Sequence, residues 1–295
     1  MILVTGATGT NGAEVVKRLL ATTATSASGK GAGPRVRALV RDPEKARQRG
    51  LNGVDLARGD LADVASLRTA MEGVEALFLL CPVDARQVEL ERNAIEAAQA
   101  AGVGRIVKFS AFHAARDSPS ALLRCHFETE ERIRGTGIPF TFLRPNMFMQ
   151  ELLRQSETIR TQGAFWLPLG ELRVSLVDVR DIADVATAAL TQPGHEGKTY
   201  EITGPTELSF EEVAEALSVV AGRTITYIPA SMGAFREGFL NSGAPAWMVE
   251  RVAELYGTFE GKNDIVRPGV VEALGRPAGP IAAFARDHAA AFRPS

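Results

Sequence analysis

The hydrophobic positions in the first half of the chain form short, nearly continuous runs separated by amphipathic stretches. These runs are rich in β-branched and large apolar residues and do not strictly alternate with polar ones, which is typical of strands buried on both faces. They predict six strands, at residues 2–5, 36–40, 55–58, 76–80, 105–109 and 140–143.

The stretches between the runs predict helices, most clearly at residues 84–102, where Val88, Ala94 and Ile95 share one face. Gly102 supplies a C-terminal stop for this helix. Because strands and helices alternate, we expect an α/β fold, a Rossmann-type doubly wound parallel sheet with right-handed crossovers and helices on both faces.

A small, polar, glycine-rich segment at residues 21–35 interrupts the alternation and predicts a surface loop. Its Lys30 has two interpretations: a contact to a bound phosphate, or the solvated side chain that is usual in loops.

After Arg144 and Pro145 the pattern changes and predicts a more helical second half. Ser209 followed by Glu212 matches a capping box, so Ser209 is expected to N-cap a helix. The other elements predicted here are a helical stretch at 147–163, strands near 164–166, 172–176 and 199–203, a helix at 181–190 and several helices in the tail.

Composition excludes some classes of function. A chain of 295 residues can bury a large core, and its formal charge of −2 provides no basic field for nucleic acid. The longest nearly apolar run is about half the roughly 20 residues of a membrane helix, and no signal peptide is visible before MILVTG. Cys81 and Cys125 match neither a disulfide framework nor a metal-ligand spacing, so we expect a cytoplasmic protein without a metal.

A glycine-rich loop directly follows the first predicted strand and opens the first helix. In this context glycines permit a tight turn, a close approach of the backbone to a pyrophosphate and close helix packing, while the helix N-terminus attracts phosphate. The loop therefore predicts a dinucleotide site formed by Gly6, Thr8, Gly9, Thr10, Asn11 and Gly12.

The end of the second strand indicates which dinucleotide binds. NAD-binding sites usually carry an acidic residue there, whereas this chain has Val40 and Arg41, with Lys45 one helical turn later. A guanidinium can bind a 2′-phosphate with two hydrogen bonds. Asp42 comes too late and is turned away by Pro43. We expect NADPH or NADP as cofactor, with a plain surface charge as the alternative role for Arg41.

Seven segments occur in a specific order: TGATGTNG, LVRDPEKA, GDLAD, KFSAFHA, ETEERIRGTGIPFTFLRPNMFM, SLVDVRDIADVATAAL and HEGKTYEITGP. In this order the chain resembles the NmrA-like group of atypical short-chain dehydrogenase/reductases over nearly its whole length. Members include NADPH-dependent quinone oxidoreductases, reductases of imines and related unsaturated compounds, and non-catalytic redox sensors. The resemblance implies a NAD(P)-binding Rossmann domain at residues 1–146 and a smaller, mostly helical substrate-binding lobe at 147–295 that shares strands with the main sheet.

The resemblance also implies further cofactor contacts. Asp60 and Leu61 would lie near the adenine, with capping of a helix at residues 64–71 as the other role for Asp60. The residues expected near the nicotinamide are Cys81, Pro82, Ser110, Pro145, Asn146 and Phe148. An inert buried thiol is the alternative for Cys81.

The chain departs from its relatives at LLRCHFETE, residues 122–130. Orthodox relatives would carry a tyrosine and a lysine at Leu122 and His126, because a phenol beside an ammonium is a usable proton donor. No Tyr-x-x-x-Lys occurs anywhere in the chain. Ordinary ketone reduction is therefore disfavoured.

Three other side chains are candidates for the chemistry. Ser110 could hydrogen-bond a substrate oxygen or only satisfy local backbone groups. His113 could donate a proton into the cleft, because an imidazole titrates near neutral pH. His126 could bind a ribose hydroxyl or pack against the sheet.

An apolar pocket for the substrate is expected from Phe148, Met149, Phe165 and Trp166, with a core role as the alternative for Met149. We therefore expect hydride transfer from NADPH to an apolar or aromatic acceptor such as a quinone, iminium or enone. The alternative is a non-catalytic NADP(H) sensor that acts through a protein partner. We expect a monomer or a homodimer.

Overall fold

The computed structural model describes residues 1–26, 33–259 and 265–294. Residues 27–32 of the predicted loop, including Lys30, lie outside these residues. In the described ranges the strands are β1 Ile2–Val4, β2 Val36–Val40, β3 Asp55–Arg58, β4 Ala76–Leu79, β5 Arg105–Phe109, β6 Phe140–Pro145, β7 Ala164–Leu167, β8 Lys198–Ile202 and β9 Thr226–Pro229.

The helices of the same ranges surround the sheet and build the C-terminal half. They are α1 Thr10–Ser26, α2 Pro43–Gln48, α3 Val64–Ala70, α4 Gln87–Ala100, α5 Ala121–Thr136, α6 Glu151–Arg154, α7 Ser156–Gln162, α8 Val179–Thr191, α9 Phe210–Ala221, α10 Met232–Asn241, α11 Ala246–Gly257, α12 Gly269–Leu274, α13 Ile281–Asp287 and α14 Ala289–Phe292.

The central sheet is parallel, with the order β3-β2-β1-β4-β5-β6-β8 among the described strands. One face packs on α1 and α8 through residues such as Val15 and Val185, and the other packs on α3, α4 and α5 through Leu67 and Ile133. This arrangement confirms the predicted doubly wound Rossmann-type fold.

The C-terminal half contributes to two cores. The last strand of the sheet, β8, and helix α8 belong to the main core, whereas a separate hydrophobic cluster is built only from residues of 149–292. Within that half β7 pairs with β9 in a small parallel sheet. The boundary between residues 146 and 147 stays a prediction.

Two predicted elements were wrong. The helix α1 continues to Ser26, so the expected loop does not begin at residue 21. Residues 172–176 form no strand but only one isolated bridge, between Val174 and Leu208. The capping box of Ser209 and Glu212 is confirmed. No helix in the described ranges is long and apolar enough to cross a membrane.

Candidate functional site

The candidate site lies at the carboxyl edge of the sheet, where β1, β4, β5 and β6 end side by side. Thr5 ties the first two ends together: its hydroxyl donates to the Leu80 carbonyl at 2.8 Å and accepts from the Leu80 amide at 2.8 Å. This edge is where open α/β sheets bind ligands, at the point where the strand order reverses.

The glycine-rich loop has the close packing that its sequence predicts. Gly6 has a φ of 65°, and a Cβ there would lie 2.4 Å from Leu80 Cδ2. A Cβ on Gly12 would lie 2.3 Å from the Gly6 carbonyl oxygen, so only glycine lets α1 begin this close to the loop. The exposed part of the loop is formed by Thr8, Gly9 and Thr10.

The N-terminus of α1 fits a bound pyrophosphate. Its first turn carries no acidic residue, and Asn11 Oδ1 is buried without a hydrogen-bond partner among the described residues. Free helical N–H groups and their partial positive charge attract phosphate at such a position. The loop residues are therefore suited to hold a dinucleotide.

Exposed basic residues lie on and beside α2, next to the glycine-rich loop. Asp42 is occupied as the N-cap of α2, where its Oδ1 accepts from the Lys45 amide at 3.1 Å. The Arg41 and Lys45 side chains are exposed. The sequence did not single out Arg49, whose Nη1 donates to the Thr8 carbonyl at 3.5 Å and so brings a second guanidinium to the loop.

Asp60 does not cap the next helix. Asp63 is the N-cap of α3 and accepts from the amides of Ala65 and Ser66, so the capping role expected for Asp60 was wrong. Asp60 Oδ1 instead accepts from the Ala62 amide at 2.9 Å. The neighbouring Leu61 carbonyl accepts from the buried Asn93 amide group, which holds this turn against α4.

Cys81 lies two residues after β4 as a buried thiol, and Pro82 beside it is exposed. Burial and the nearby Glu91 carboxylate raise the pKa of Cys81 to about 12, although Lys108 opposes the shift. The thiol therefore stays protonated near neutral pH and is a poor nucleophile.

Ser110 ends β5 in a buried polar network. Its hydroxyl donates to Glu130 Oε1 at 2.6 Å, and Glu130 binds the Arg144 guanidinium through both oxygens, at 2.8 and 2.5 Å. The hydroxyl hydrogen is therefore engaged by a carboxylate, rather than by the local backbone considered from the sequence. Next to Arg144 and Pro145, the Asn146 amide group donates to the Ser175 hydroxyl at 3.1 Å.

Helix α5 brings Leu122 and His126 to one face, and both are buried. His126 Nδ1 lies 3.3 Å from the Nζ of Lys108, which comes from the middle of β5. Burial and then the positive charges of Lys108 and Arg144 hold the pKa of His126 well below its ordinary value. The ammonium beside this helix thus comes from a neighbouring strand, which no spacing in the sequence indicated.

His113 lies in the loop after β5 with its backbone in the left-handed region, at a φ of 59°. Few residues other than glycine adopt this conformation, and such residues often occur at functional sites. Its ring is exposed at the surface and contacts Phe112, with the ring centroids 4.0 Å apart.

The predicted apolar pocket divides into two groups. Phe148 is half-buried and packs edge-to-face on Phe109 at 6.1 Å, beside the ends of β5 and β6. Met149 and Phe165 are almost fully enclosed in the C-terminal hydrophobic cluster, which favours a core role for both. Trp166 is half-buried on β7 and stays a pocket prediction.

The C-terminal half contacts the site region through α11. Glu254 accepts from the Ala121 amide at 2.9 Å, at the first residue of α5. Arg251 lies 3.5 Å from Cys125 Sγ and 3.5 Å from the Ala85 carbonyl. No pattern in the sequence indicates these contacts, because the periodicity of this region does not show which helix face is buried.

The described residues contain no group of three or more His, Cys, Asp or Glu side chains that could hold a metal ion.

Comparison with known proteins identifies the family of this chain. The profile of the NmrA-like family matches residues 1–274. The chain is 41% identical to NAD(P)H azoreductase of Xenophilus azovorans, over 99% of each chain, and 31% identical to quinone oxidoreductase 2 of Escherichia coli, over 86% of each. Citrobacter sp. triphenylmethane reductase complexed with NADP(H) superposes with a TM-score of 0.82 at 29% identity, over 98% of this chain and 99% of that one. The chain belongs to the NmrA-like family.

Proposed function

We propose that this protein, a NAD(P)H-dependent reductase, transfers hydride from NADPH to an electron-poor or pre-activated small-molecule acceptor such as a quinone, an iminium or an enone. The observation that carries the proposal is the pairing of a complete dinucleotide loop with a helix α5 that has no phenol and lysine one turn apart. The enzyme has what it needs to hold a hydride donor, and it lacks the usual proton donor.

The cofactor would be held by three parts of the described chain. The loop from Gly6 to Gly12 and the start of α1 would hold the pyrophosphate, and Arg41 with Arg49 would bind the 2′-phosphate. The adenine would lie near Asp60 and Leu61. The nicotinamide would lie among Pro82, Ser110, Pro145, Asn146 and Phe148, where it would supply a hydride with its electron pair.

The missing proton donor selects the class of acceptor. General acid catalysis is worth typically about 10²–10⁴-fold, and reduction of a ketone to an alkoxide depends on it. A quinone or an enone gives a stabilised anion that water can protonate later, and an iminium is already cationic. Holding the donor carbon about 3–3.5 Å from such an acceptor can supply much of the rate enhancement.

The relatives support this class of acceptor. Their names include an azoreductase, a quinone oxidoreductase and a triphenylmethane reductase. Azo compounds, quinones and triphenylmethane dyes share low-lying acceptor orbitals and extended apolar rings. The half-buried Phe148, next to Phe109, offers an aromatic surface for such rings.

Steady-state oxidation of NADPH with a panel of acceptors tests the proposal. We expect turnover with quinones, enones, iminium ions or azo dyes, and little or none with aliphatic ketones. An aliphatic ketone as the best substrate would contradict it.

A second candidate function is a non-catalytic sensor of the NADPH/NADP ratio that acts through a protein partner. The absence of the dyad from α5 favours it, because a sensor needs no proton donor. Tight NADPH binding without consumption by any acceptor of the panel would favour this candidate over the reductase.

A further inference from the structure

A lysine is buried in the middle of the central sheet, next to the candidate site. Lys108 lies on β5 between apolar neighbours, and its side chain is fully buried. Removing an ammonium from water is costly unless it is paired, so its surroundings have to compensate the charge.

The compensation comes from three neighbours. Lys108 Nζ lies 2.7 Å from the fully buried carboxylate of Glu91 on α4, and it donates to the Phe109 carbonyl. The third neighbour is His126 Nδ1 on α5, at 3.3 Å. Glu91 is held in turn by the Thr129 hydroxyl, which donates to Oε2 at 2.7 Å.

This arrangement determines which ring nitrogen of His126 carries the hydrogen. An ammonium has three N–H donors and no acceptor, so Nδ1 has to accept in this contact and cannot be protonated. A neutral imidazole with a bare Nδ1 carries its hydrogen on Nε2. No group in the described parts of the chain hydrogen-bonds Nε2, and the ring is neutral near physiological pH because its pKa is held low.

Other polar groups at the same edge also lack partners. The amide of Gln87, at the first residue of α4, and the hydroxyl of Ser120, next to the start of α5, are buried without hydrogen bonds to any described group. Buried polar groups are nearly always hydrogen-bonded in folded proteins. Both groups lie at the starts of helices that follow β4 and β5, at the carboxyl edge of the sheet.

We propose that Lys108 is a positioning residue that locks His126 as the Nε2–H tautomer, so that His126 presents a neutral donor to an oxygen of the bound ligand. This inference rests on the proposed function, because the ligand oxygen is either a ribose hydroxyl of the dinucleotide or an oxygen of the acceptor. In this proposal Lys108 on β5 orients the His126 side chain of α5 toward the ligand.

Histidine-selective ¹⁵N NMR of the whole protein tests the tautomer directly. The chain has four histidines, and loss of a signal in His126→Gln assigns the resonances. We expect His126 to show a protonated Nε2 and a bare Nδ1, unchanged between about pH 6 and pH 8. A cationic ring, or a hydrogen on Nδ1, would overturn the proposal.

The variant Lys108→Met/Glu91→Gln removes both buried charges together, so that neither is left uncompensated. We expect the His126 ring to become a mixture of tautomers that titrates closer to its ordinary pKa, and turnover to become pH-dependent. Thr129→Val is the matched control, because it removes the hydroxyl on Glu91 and leaves the contact between Lys108 and His126; its tautomer and pH profile should not change. An unchanged tautomer in the double variant contradicts the proposal, and failure of that variant to fold leaves the wild-type spectrum as the deciding measurement.

The pH profiles also depend on the other charged and titratable groups of this network. They are Lys108 on β5, Glu91 on α4, Glu130 on α5, Arg144 on β6 and Cys81 after β4.

The variant His126→Leu distinguishes a ribose hydroxyl from an acceptor oxygen as the partner of His126. Loss of one hydrogen bond from a neutral donor should change either the Kd for NADPH or kcat by about fivefold to tenfold. A raised Kd for NADPH assigns the ribose, a lowered kcat with unchanged Kd assigns the acceptor, and no change in either overturns the proposal. If no acceptor is reduced, the reductase proposal fails. The tautomer of His126 and the Kd for NADPH still test the positioning role of Lys108 in that case.

Discussion

At the scale of single residues, we propose that exposed guanidinium groups determine the preference for NADPH, and the sequence pointed to only one of them. Arg41 was predicted from its position after β2, because an acidic residue is missing there. Arg49 could not be predicted, since it lies at the far end of α2 and reaches the loop only through the fold. Local position in the sequence is enough to propose a role for Arg41, whereas Arg49 becomes a candidate only from the tertiary structure.

Arg41→Ala should weaken NADPH binding and leave NADH binding nearly unchanged. A charge-assisted hydrogen bond to a phosphate contributes about 1.5–3 kcal/mol, so the Kd for NADPH should rise by about tenfold or more. Fluorescence titration with both nucleotides measures the effect. Arg47→Ala is the matched control, because Arg47 is engaged with Glu44 on the same helix. An equal loss for NADH and NADPH would refute the role of Arg41.

Gly12→Ala should destabilise the loop and reduce dinucleotide binding. The new methyl group would meet the Gly6 carbonyl oxygen at 2.3 Å, and overpacking of this kind costs about 1–3 kcal/mol. Gly135→Ala is the control, since nothing lies within 4 Å of its Cβ position in α5. In chemical denaturation the control should have an equal or slightly higher free energy of unfolding than the wild type. A Gly12→Ala variant with an unchanged free energy of unfolding would contradict the predicted steric overlap.

Cys81 should be inert in the folded protein, because a thiol with a raised pKa forms almost no thiolate. In a Cys125→Ser variant Cys81 is the single remaining thiol of the chain. We expect no alkylation by iodoacetamide at about pH 8 in the native state, and complete alkylation after denaturation, by mass spectrometry. Rapid modification of the native protein would show that the thiol is accessible and ionised.

At the scale of elements, short buried strands and caps were well predicted because their signals are local. The strands β2, β3 and β5 have the predicted bounds. The strands β2 and β5 are largely buried apolar runs, whereas β3 has an exposed charged residue at each end and only half-buried residues between them. Residues 172–176 show the limit of this reasoning: Leu172, Val174 and Leu176 are buried, as alternation predicts. Alternation indicates an extended segment with one buried face. A strand also needs a hydrogen-bonded neighbouring strand, and residues 172–176 have only one isolated bridge.

Ser209→Ala should lower the free energy of unfolding by about 1 kcal/mol, because it removes the side-chain acceptor of a complete capping box. Ser209→Asp keeps an acceptor for the Glu212 amide and should retain most of the stability. Chemical denaturation of the three proteins gives the comparison. Equal losses in the two variants would show that the hydroxyl contributes by packing instead.

The buried network around Lys108 could not be predicted at this scale. The lysine is one polar position in a strand, and its partners Glu91 and His126 lie on the helices before and after that strand, outside any helical or strand spacing. Only the packing of α4 and α5 on the same face of the sheet brings the three groups together.

At the scale of the whole molecule, the order of elements along the chain was enough to predict the doubly wound sheet. Alternating strands and helices allow few topologies once crossovers are right-handed, and the observed order follows that rule. The contacts of the C-terminal half with α5 were not predictable. Glu254 and Arg251 lie more than a hundred residues from their partners, and long-range pairing leaves no periodic signal.

The same contacts suggest how the second half takes part in the reaction. Helix α11 binds the start of α5 and the loop after β4, which are the segments beside Leu122 and Cys81. We propose that residues 147–295 complete the acceptor pocket over a dinucleotide bound to residues 1–146. The pocket would then require both halves of the chain.

The most direct test of the account is a single-turnover reaction with NADPH deuterated at the transferred position of C4. With an enone or an iminium acceptor, hydride transfer predicts one product per NADPH, deuterium on the product carbon and a primary isotope effect on the decay of NADPH absorbance. A parallel reaction with an aliphatic ketone should be far slower. Bound NADPH that reacts with no acceptor, or a ketone that reacts fastest, would contradict the proposal that this chain transfers hydride without a tyrosine–lysine pair.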